Sequence, residues 1–209
     1  LHFRAVLSRM PLAAVEALVD RLAGQSPDLP GVMADAATAA AFAGQWAERR
    51  RTPATPVEGQ RLYRLAVLRP PVGVPGHLRQ ATHGERSLLV RWGSGFMEET
   101  GGHPLSPEEI VDRHLGSGGL WVWEDGGPVS MAAVSPPVAG VARIGYVYTP
   151  RERRRHGYAG ACVAAVSQGI RAGGSEAVLF TQLQNPSSNA VYRRIGYEPA
   201  VELVIYRFG

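Results

Sequence analysis

The stretch from Ile144 to Ala165, IGYVYTPRERRRHGYAGACVAA, most constrains what this chain can fold into. Its apolar, β-branched start, Ile144 to Tyr148, predicts a strand that stops at Thr149 and Pro150. A basic loop follows, and small residues from Gly157 onward predict a helix. At the junction stands Arg154-x-x-Gly157-x-Ala159, with Gly160 directly after it. Residues without bulk let backbone N–H groups approach an anion, the helix start adds the positive end of its dipole, and the arginines add charge. The junction therefore offers a cradle for a diphosphate. Glycine loops open many helices, so the loop gains weight only from its surroundings.

Those surroundings are ordered. Upstream, His77 to Ala81 predicts a strand, and Glu85 to Glu99 a helix with Leu88, Leu89, Trp92 and Phe96 on one face. Ser106-Pro107-Glu108-Glu109 is a capping box with proline at the first helical position, opening a helix to about Leu115. Leu120 to Trp123, the turn Glu124-Asp125-Gly126-Gly127 and Val129 to Val134 predict a hairpin. Downstream, a helix runs from Gly157 to Arg171, a strand from Ala177 to Leu183, a helix from Asn185 to Arg194 and a last strand from Val201 to Phe208. The order is β-α-α-β-β-β-α-β-α-β.

The pattern Val147-x-x-Pro150, then Arg154-x-x-Gly157-x-Ala159, then about 30 residues later Asn185-x-x-x-Asn189-x-x-Tyr192 before Gly196-Tyr197, resembles the GNAT acyltransferases over roughly Gly76 to Gly209. The resemblance implies an α/β fold with a mixed central sheet flanked by helices, and acetyl transfer from acetyl-CoA directly to an amine without a covalent enzyme intermediate. The backbone of Arg155, His156, Gly157, Tyr158, Ala159 and Gly160 would hold the carrier's diphosphate, with Arg154 or its neighbours near phosphate. The main chain of Val147, Tyr148 and Thr149 would present the thioester, Asn185 and Asn189 would lie toward the pantetheine arm, and Tyr192 would give a proton to the leaving thiolate. Taken without the family, Tyr192 on an amphipathic helix reads more readily as a core residue with its hydroxyl at the rim. Many family members carry a carboxylate on the strand before the loop, but Ala142 to Tyr148 has none. Glu98, Glu99, His103 or a water chain remain as candidates for the base, each also readable as a solvated surface group. Trp92, Phe96, Trp121 and Trp123 suggest an apolar-walled acceptor pocket, and Glu98 with Glu99 a cationic acceptor.

The first third repeats the scaffold without the chemistry. Leu1 to Met10 predicts a strand, Leu12 to Ala23 a helix, a Ser-Pro-Asp turn precedes a short apolar piece from Leu29 to Ala34, and Asp35 caps a second helix. Arg49 to Pro56 reads as a loop and Gln60 to Leu68 as a strand. Shifted by 150 positions, Asp35 to Phe42 lies on Asn185 to Tyr192, and Leu62-Tyr63-Arg64-Leu65 echoes Ile205-Tyr206-Arg207-Phe208. Met10-Pro11 runs straight into the helix with no arginine loop, and Phe42 stands where Tyr192 stands. The expected organisation is a degenerate partial GNAT-like unit at 1–70, matching the family fold from its fourth strand on, a Pro/Gly linker at 71–76 and a catalytic unit at 77–209. A chance likeness between two αβ units is the alternative to duplication.

Composition sets the remaining bounds. All 22 basic residues are Arg, so acetylation of the chain's own lysine side chains is excluded; a codon bias of bacterial type is the simplest cause. The one dense cluster, Arg151 to Arg155, is already used by the anion reading, which argues against nucleic acid as partner. A single cysteine, Cys162, excludes an internal disulfide framework and a multi-thiolate metal cluster, and its helical setting argues against a nucleophile. No apolar run approaches the ~18 residues of a membrane span, and the expected location is cytoplasmic. Two further readings stand beside the enzyme: a non-catalytic acyl-CoA binding or sensing module, and an RNA-associated protein using Arg151 to Arg155. The amine acceptor, the acyl preference and the oligomeric state are open.

Overall fold

The computed structural model describes residues 4–25, 29–101 and 104–209. The elements are β1 (Ala5–Val6), α1 (Leu12–Gln25), β2 (Gly31–Ala34), α2 (Ala36–Arg50), β3 (Ala54–Leu65), β4 (His77–Gln80), α3 (Arg86–Thr100), α4 (Pro107–Gly116), β5 (Leu120–Glu124), β6 (Pro128–Val134), β7 (Val141–Tyr148), α5 (Tyr158–Ala172), β8 (Glu176–Gln182), α6 (Pro186–Arg194) and β9 (Tyr197–Phe208). From β4 onward the order is the one expected. Leu1, His2 and Phe3 of the expected first strand, and the Ser26-Pro27-Asp28 turn, lie outside the described residues.

Local chemistry sets several boundaries. Asp35 Oδ1 accepts the Thr38 N–H at 3.3 Å and starts α2. Ser106 Oγ accepts the Glu109 N–H at 3.2 Å while Glu109 Oε2 accepts the Ser106 N–H at 2.8 Å, which starts α4. Each such cap contributes about 1 kcal/mol. Two strands begin earlier than expected: β3 at Ala54 rather than Gln60, and β9 at Tyr197 rather than Val201. Pro56 and Pro199 lie within these strands, because a proline's fixed φ suits extended backbone and only its missing N–H limits it.

The chain forms two compact units, and they are not consecutive in sequence. The first gathers 1–62 with 181–186 and 199–209; the second gathers 63–180 with 187–198. The end of β3 thus belongs to the second unit and most of β9 to the first, so each half contributes the tail of its last strand to the other unit. In the first unit β1 pairs parallel with β2, and β2 pairs antiparallel with β9 from Gly31↔Arg207 to Ala34↔Val204. Helices α1 and α2 bring Val15, Val19, Phe42 and Trp46 against Val32 and Phe208. Phe42, Trp46 and Phe208 form a stack, with Trp46 5.8 Å from Phe42 and 5.7 Å from Phe208.

In the second unit β4, β5, β6 and β7 pair antiparallel in sequence order, and β8 joins β7 in parallel. Strand periodicity sorts the side chains onto two faces. Val122, Met131 and Ala133 join Leu89, Trp92, Val111 and Leu115 of α3 and α4. Trp123, Val129, Ala132 and Ile144 join α5 and α6, with Tyr63 and Leu65 from β3 closing that core. Phe208 joins the first core and Leu65 the second.

Arg79 ties β4 to its neighbours, donating to Glu124 on β5 and to both oxygens of Glu85, at 2.9 and 2.6 Å. The hydrogen bond from Arg79 outweighs burial and holds the Glu85 carboxyl down at about 2, well below the ordinary carboxylate range. A depressed carboxylate adds stability above its unfolded value, and the gain drains away as pH falls toward the folded value. Urea unfolding of the chain and of Glu85→Gln should therefore differ by on the order of 2 kcal/mol at pH 7 and converge as the pH drops from about 4.5 toward 2. A difference that is the same at pH 7 and pH 3 would contradict this role for the ion pair.

Candidate functional site

Strands β7 and β8 are paired only from Val141↔Glu176 to Ile144↔Leu179, although β7 continues to Tyr148. Opposite, β6 pairs Ala133 with Gly145 and Met131 with Tyr148, so three β7 steps face two on β6. The extra residue is a β-bulge, and Tyr146 takes a left-handed φ of 48° within it. Bulges re-aim backbone groups. Here the bulge falls at Tyr146 and Val147, where pairing to β8 has just ended. The registered β7–β8 pairs thus end at Ile144↔Leu179, four residues before β7 itself ends at Tyr148.

Past the strand the chain turns sharply. Ser130, fully buried, donates Oγ to the Tyr148 carbonyl at 3.1 Å and meets the Thr149 Oγ1 at 2.9 Å. A short helical turn over Arg151–Arg153 leads to Arg155, with φ 68°, and Gly157, with φ 84°. Two left-handed residues in three steps aim the next backbone N–H groups outward. No side chain caps α5. Its first-turn N–H groups, at Tyr158, Ala159 and Gly160, have no intrahelical acceptor by geometry. A Cβ at Gly157 would stand 2.9 Å from Val74 Cγ2, so glycine serves both the φ and the close approach.

The side chains around this turn divide their work. Tyr158 is buried, and its hydroxyl donates to Asp125 Oδ2 at 2.5 Å, fixing the helix start to the β5–β6 turn. Its ring stacks on the exposed His156, with 5.5 Å between centroids and 15° between the ring planes. Gly160 faces α6, where a Cβ would make ordinary contacts, 3.6 Å from Val191 Cγ1 and 3.7 Å from Ile195 Cγ2.

Arg154 is engaged by groups of the chain itself. Its guanidinium grips Glu99 with Nη2 at 2.9 and 2.8 Å, donates Nε to the Thr149 carbonyl at 2.9 Å, and lies 5.6 Å over the Tyr148 ring. Arg153 and Arg155 are exposed beside the turn. Glu99 is correspondingly a poor proton acceptor. Burial alone would raise its carboxyl, but hydrogen bonds from Arg154 and Arg151 outweigh that and hold it below the ordinary range. Glu98 is exposed on α3. His103, the remaining side-chain candidate for a base, lies outside the described residues.

Tyr192 and Asn189 share the buried side of α6. Tyr192 is 7% exposed within the core formed by α5, α6 and β3. Burial, reinforced by Tyr197, pushes its hydroxyl far above the ordinary tyrosine value against a hydrogen bond with Ser188. Asn189 is likewise 7% exposed, and its Oδ1 accepts the Tyr63 hydroxyl at 2.8 Å. Asn185 lies in the turn before α6, its N–H on the Gln182 carbonyl at 3.1 Å, among residues of the first unit. Burial lifts the Cys162 thiol to about 12, leaving almost no thiolate at neutral pH.

The four aromatic residues expected to wall one acceptor pocket are split by the sheet. Trp92 belongs to the α3–α4 core, while Trp121 and Trp123 belong to the α5 side, where Trp123 donates Nε1 to the Pro75 carbonyl at 2.8 Å. Phe96 packs on Tyr146, 5.2 Å between centroids. Alternation along β5 is the reason, since neighbouring strand residues face opposite ways. Sequence reading missed Tyr63, Ser130, Asp125 and the bulge at Tyr146. Only Tyr63 carried a signal, as part of the echo of Ile205 to Phe208.

Among the described residues, no helix is long and apolar enough to cross a membrane. Residues 127–205 match the model of the family described as FR47-like protein, which is GNAT-related. No curated protein matches the sequence. Solved structures resemble the chain closely in fold. A GCN5-related N-acetyltransferase from Kribbella flavida is 23% identical with TM-score 0.62, over 96% of this chain and 77% of that one. A GNAT-family acetyltransferase from Colwellia psychrerythraea is 12% identical with TM-score 0.66, over 95% and 72%. A GCN5-related N-acetyltransferase from Sphaerobacter thermophilus is 18% identical with TM-score 0.61, over 90% and 62%. The mixed central sheet flanked by helices is the GNAT fold.

Proposed function

We propose that this GNAT-fold chain, FR47-like over residues 127–205, is an N-acetyltransferase that moves an acetyl group from acetyl-CoA to an amine. The observation that carries the reading is the end of β7–β8 pairing at Ile144↔Leu179, directly before the uncapped start of α5. An extended thioester arm needs a strand end with backbone groups to pair, and a diphosphate needs outward N–H groups at a helix start. One turn of chain supplies both. The small Gly157, Ala159 and Gly160 and the exposed Arg153 and Arg155 suit a polyanion, so the residues present fit acetyl-CoA.

Bound there, acetyl-CoA would supply an acetyl group activated by its bond to sulfur. The chain's part begins with the main chain at Val147, on the bulge, which would donate an N–H to the carbonyl oxygen as it gains negative charge. A neutral amine forms the new C–N bond, the C–S bond breaks, and the amine's surplus proton must leave. Tyr192 stays protonated at neutral pH because its hydroxyl is pushed upward, so it would hold a proton for the departing sulfur. With Glu99 held low by arginine, a water-relayed path is the simplest route for the amine proton. The N-terminal unit, without an arginine loop, is read as the degenerate copy.

Release of free thiol from acetyl-CoA, followed with small primary amines and a lysine-containing peptide as acceptors, tests the reading. An amine-dependent rate above the amine-free background is expected. Binding of acetyl-CoA without acceleration by any amine would make the chain a carrier-binding module instead.

A further inference from the structure

We propose that Tyr63, on the strand contributed by the N-terminal half, is a positioning residue for the pantetheine arm and for Tyr192; this rests on the acetyl-CoA reading above. Tyr63 is fully buried, and a buried phenol needs a hydrogen-bond partner. Its hydroxyl donates to Asn189 Oδ1 at 2.8 Å. A planar amide whose oxygen is fixed has its nitrogen fixed as well, so Tyr63 sets where the Asn189 N–H donors point. The Tyr63 ring also stands 6.4 Å from that of Tyr192, which follows Asn189 by three residues on the same helical face.

The backbone after β3 repeats the hold at the far end of α6. The Ala66 N–H donates to the Gly196 carbonyl at 3.1 Å and the Arg69 N–H to the Ile195 carbonyl at 3.0 Å. Gly196, with φ 101°, permits this, since a Cβ there would fall 1.7 Å from the Val67 carbonyl oxygen. The helix bearing Asn189 and Tyr192 is thus gripped at both ends by chain from the other half. Packing alone would be served by phenylalanine at position 63. The hydroxyl is what orients Asn189, and through it the N-terminal half takes part in the site although it lacks a loop of its own.

A double-mutant cycle tests this: Tyr63→Phe, Asn189→Ala and the pair, titrated calorimetrically with acetyl-CoA and with ADP, which carries a diphosphate but no arm. Each single substitution should weaken acetyl-CoA about fivefold, the yield of one hydrogen bond, and leave ADP within about twofold. The double variant should be no weaker than the weaker single. Additive losses, equal losses for both ligands, or an unchanged Tyr63→Phe would overturn the role of Tyr63 while leaving the acetyl-CoA reading intact. Failure of the unmodified chain to bind acetyl-CoA would overturn both. Thermal melts keep folding losses apart from binding losses, and Asn189→Ala approaches the same contact from its other end.

Discussion

Gly157→Glu should weaken acetyl-CoA binding by more than about a hundredfold while the chain remains folded. The new carboxylate would stand at the start of α5, where the outward N–H groups and the exposed Arg153 and Arg155 favour negative charge. Two like charges about 4 Å apart near a protein surface repel by up to ~4 kcal/mol, enough for a factor of that size. The substitution also has a structural cost, because Gly157 has φ 84° and its Cβ would press on Val74 Cγ2. A left-handed non-glycine residue costs roughly 1–2 kcal/mol. Gly157→Ala carries that strain without the charge. The account expects Ala to lower the melting temperature as Glu does but to retain most of the affinity, so equal binding losses in the two variants would assign the effect to strain.

Tyr192→Phe should lower turnover about 100-fold and leave acetyl-CoA affinity within about twofold. The hydroxyl is the only group the substitution removes. It is buried, kept protonated by burial, and linked to Ser188. A donor that acts only as the thiolate departs contributes to the transition state and not to ground-state binding. The ring contacts with Tyr63 and Tyr197, at 6.4 and 6.2 Å, survive in phenylalanine. If Tyr192→Phe turns over normally, the residue is core alone and the proton for sulfur comes from water.

What the sequence made legible was local. The capping box at Ser106 and Glu109, the cap at Asp35 and the apolar periodicities of α3, α5 and β7 are each written within a few residues. They recovered the element order from β4 to β9 and placed the loop at Arg154 to Gly160. The exchange of strand tails was not legible, because the pairing of β2 with β9 joins Gly31 to Arg207 and periodicity carries no information about partners so distant. The same distance hid the bond from Tyr63 to Asn189. The commitment of Arg154 to Glu99 was hidden differently: a basic run reads as anion-binding until the carboxylates near it in space are known, and Glu99 arrives from α3. The loop expected up to Pro56 is strand from Ala54 on, where extended backbone tolerates the proline.

The end of β3, although it comes from the first third of the sequence, belongs to the second unit: Tyr63 and Leu65 join its core, and the segment after them bonds to the residues that follow α6.

Calorimetric titration of the unmodified chain with acetyl-CoA, alongside desulfo-CoA, tests the central claim most directly. The account predicts saturable binding at one site per chain with similar affinity for both ligands, because the α5 start and the β7 edge hold the diphosphate and the arm rather than the sulfur. An absence of binding heat with both ligands, on folded protein, would contradict it and leave the turn from Thr149 to Gly160 as a solvated basic loop.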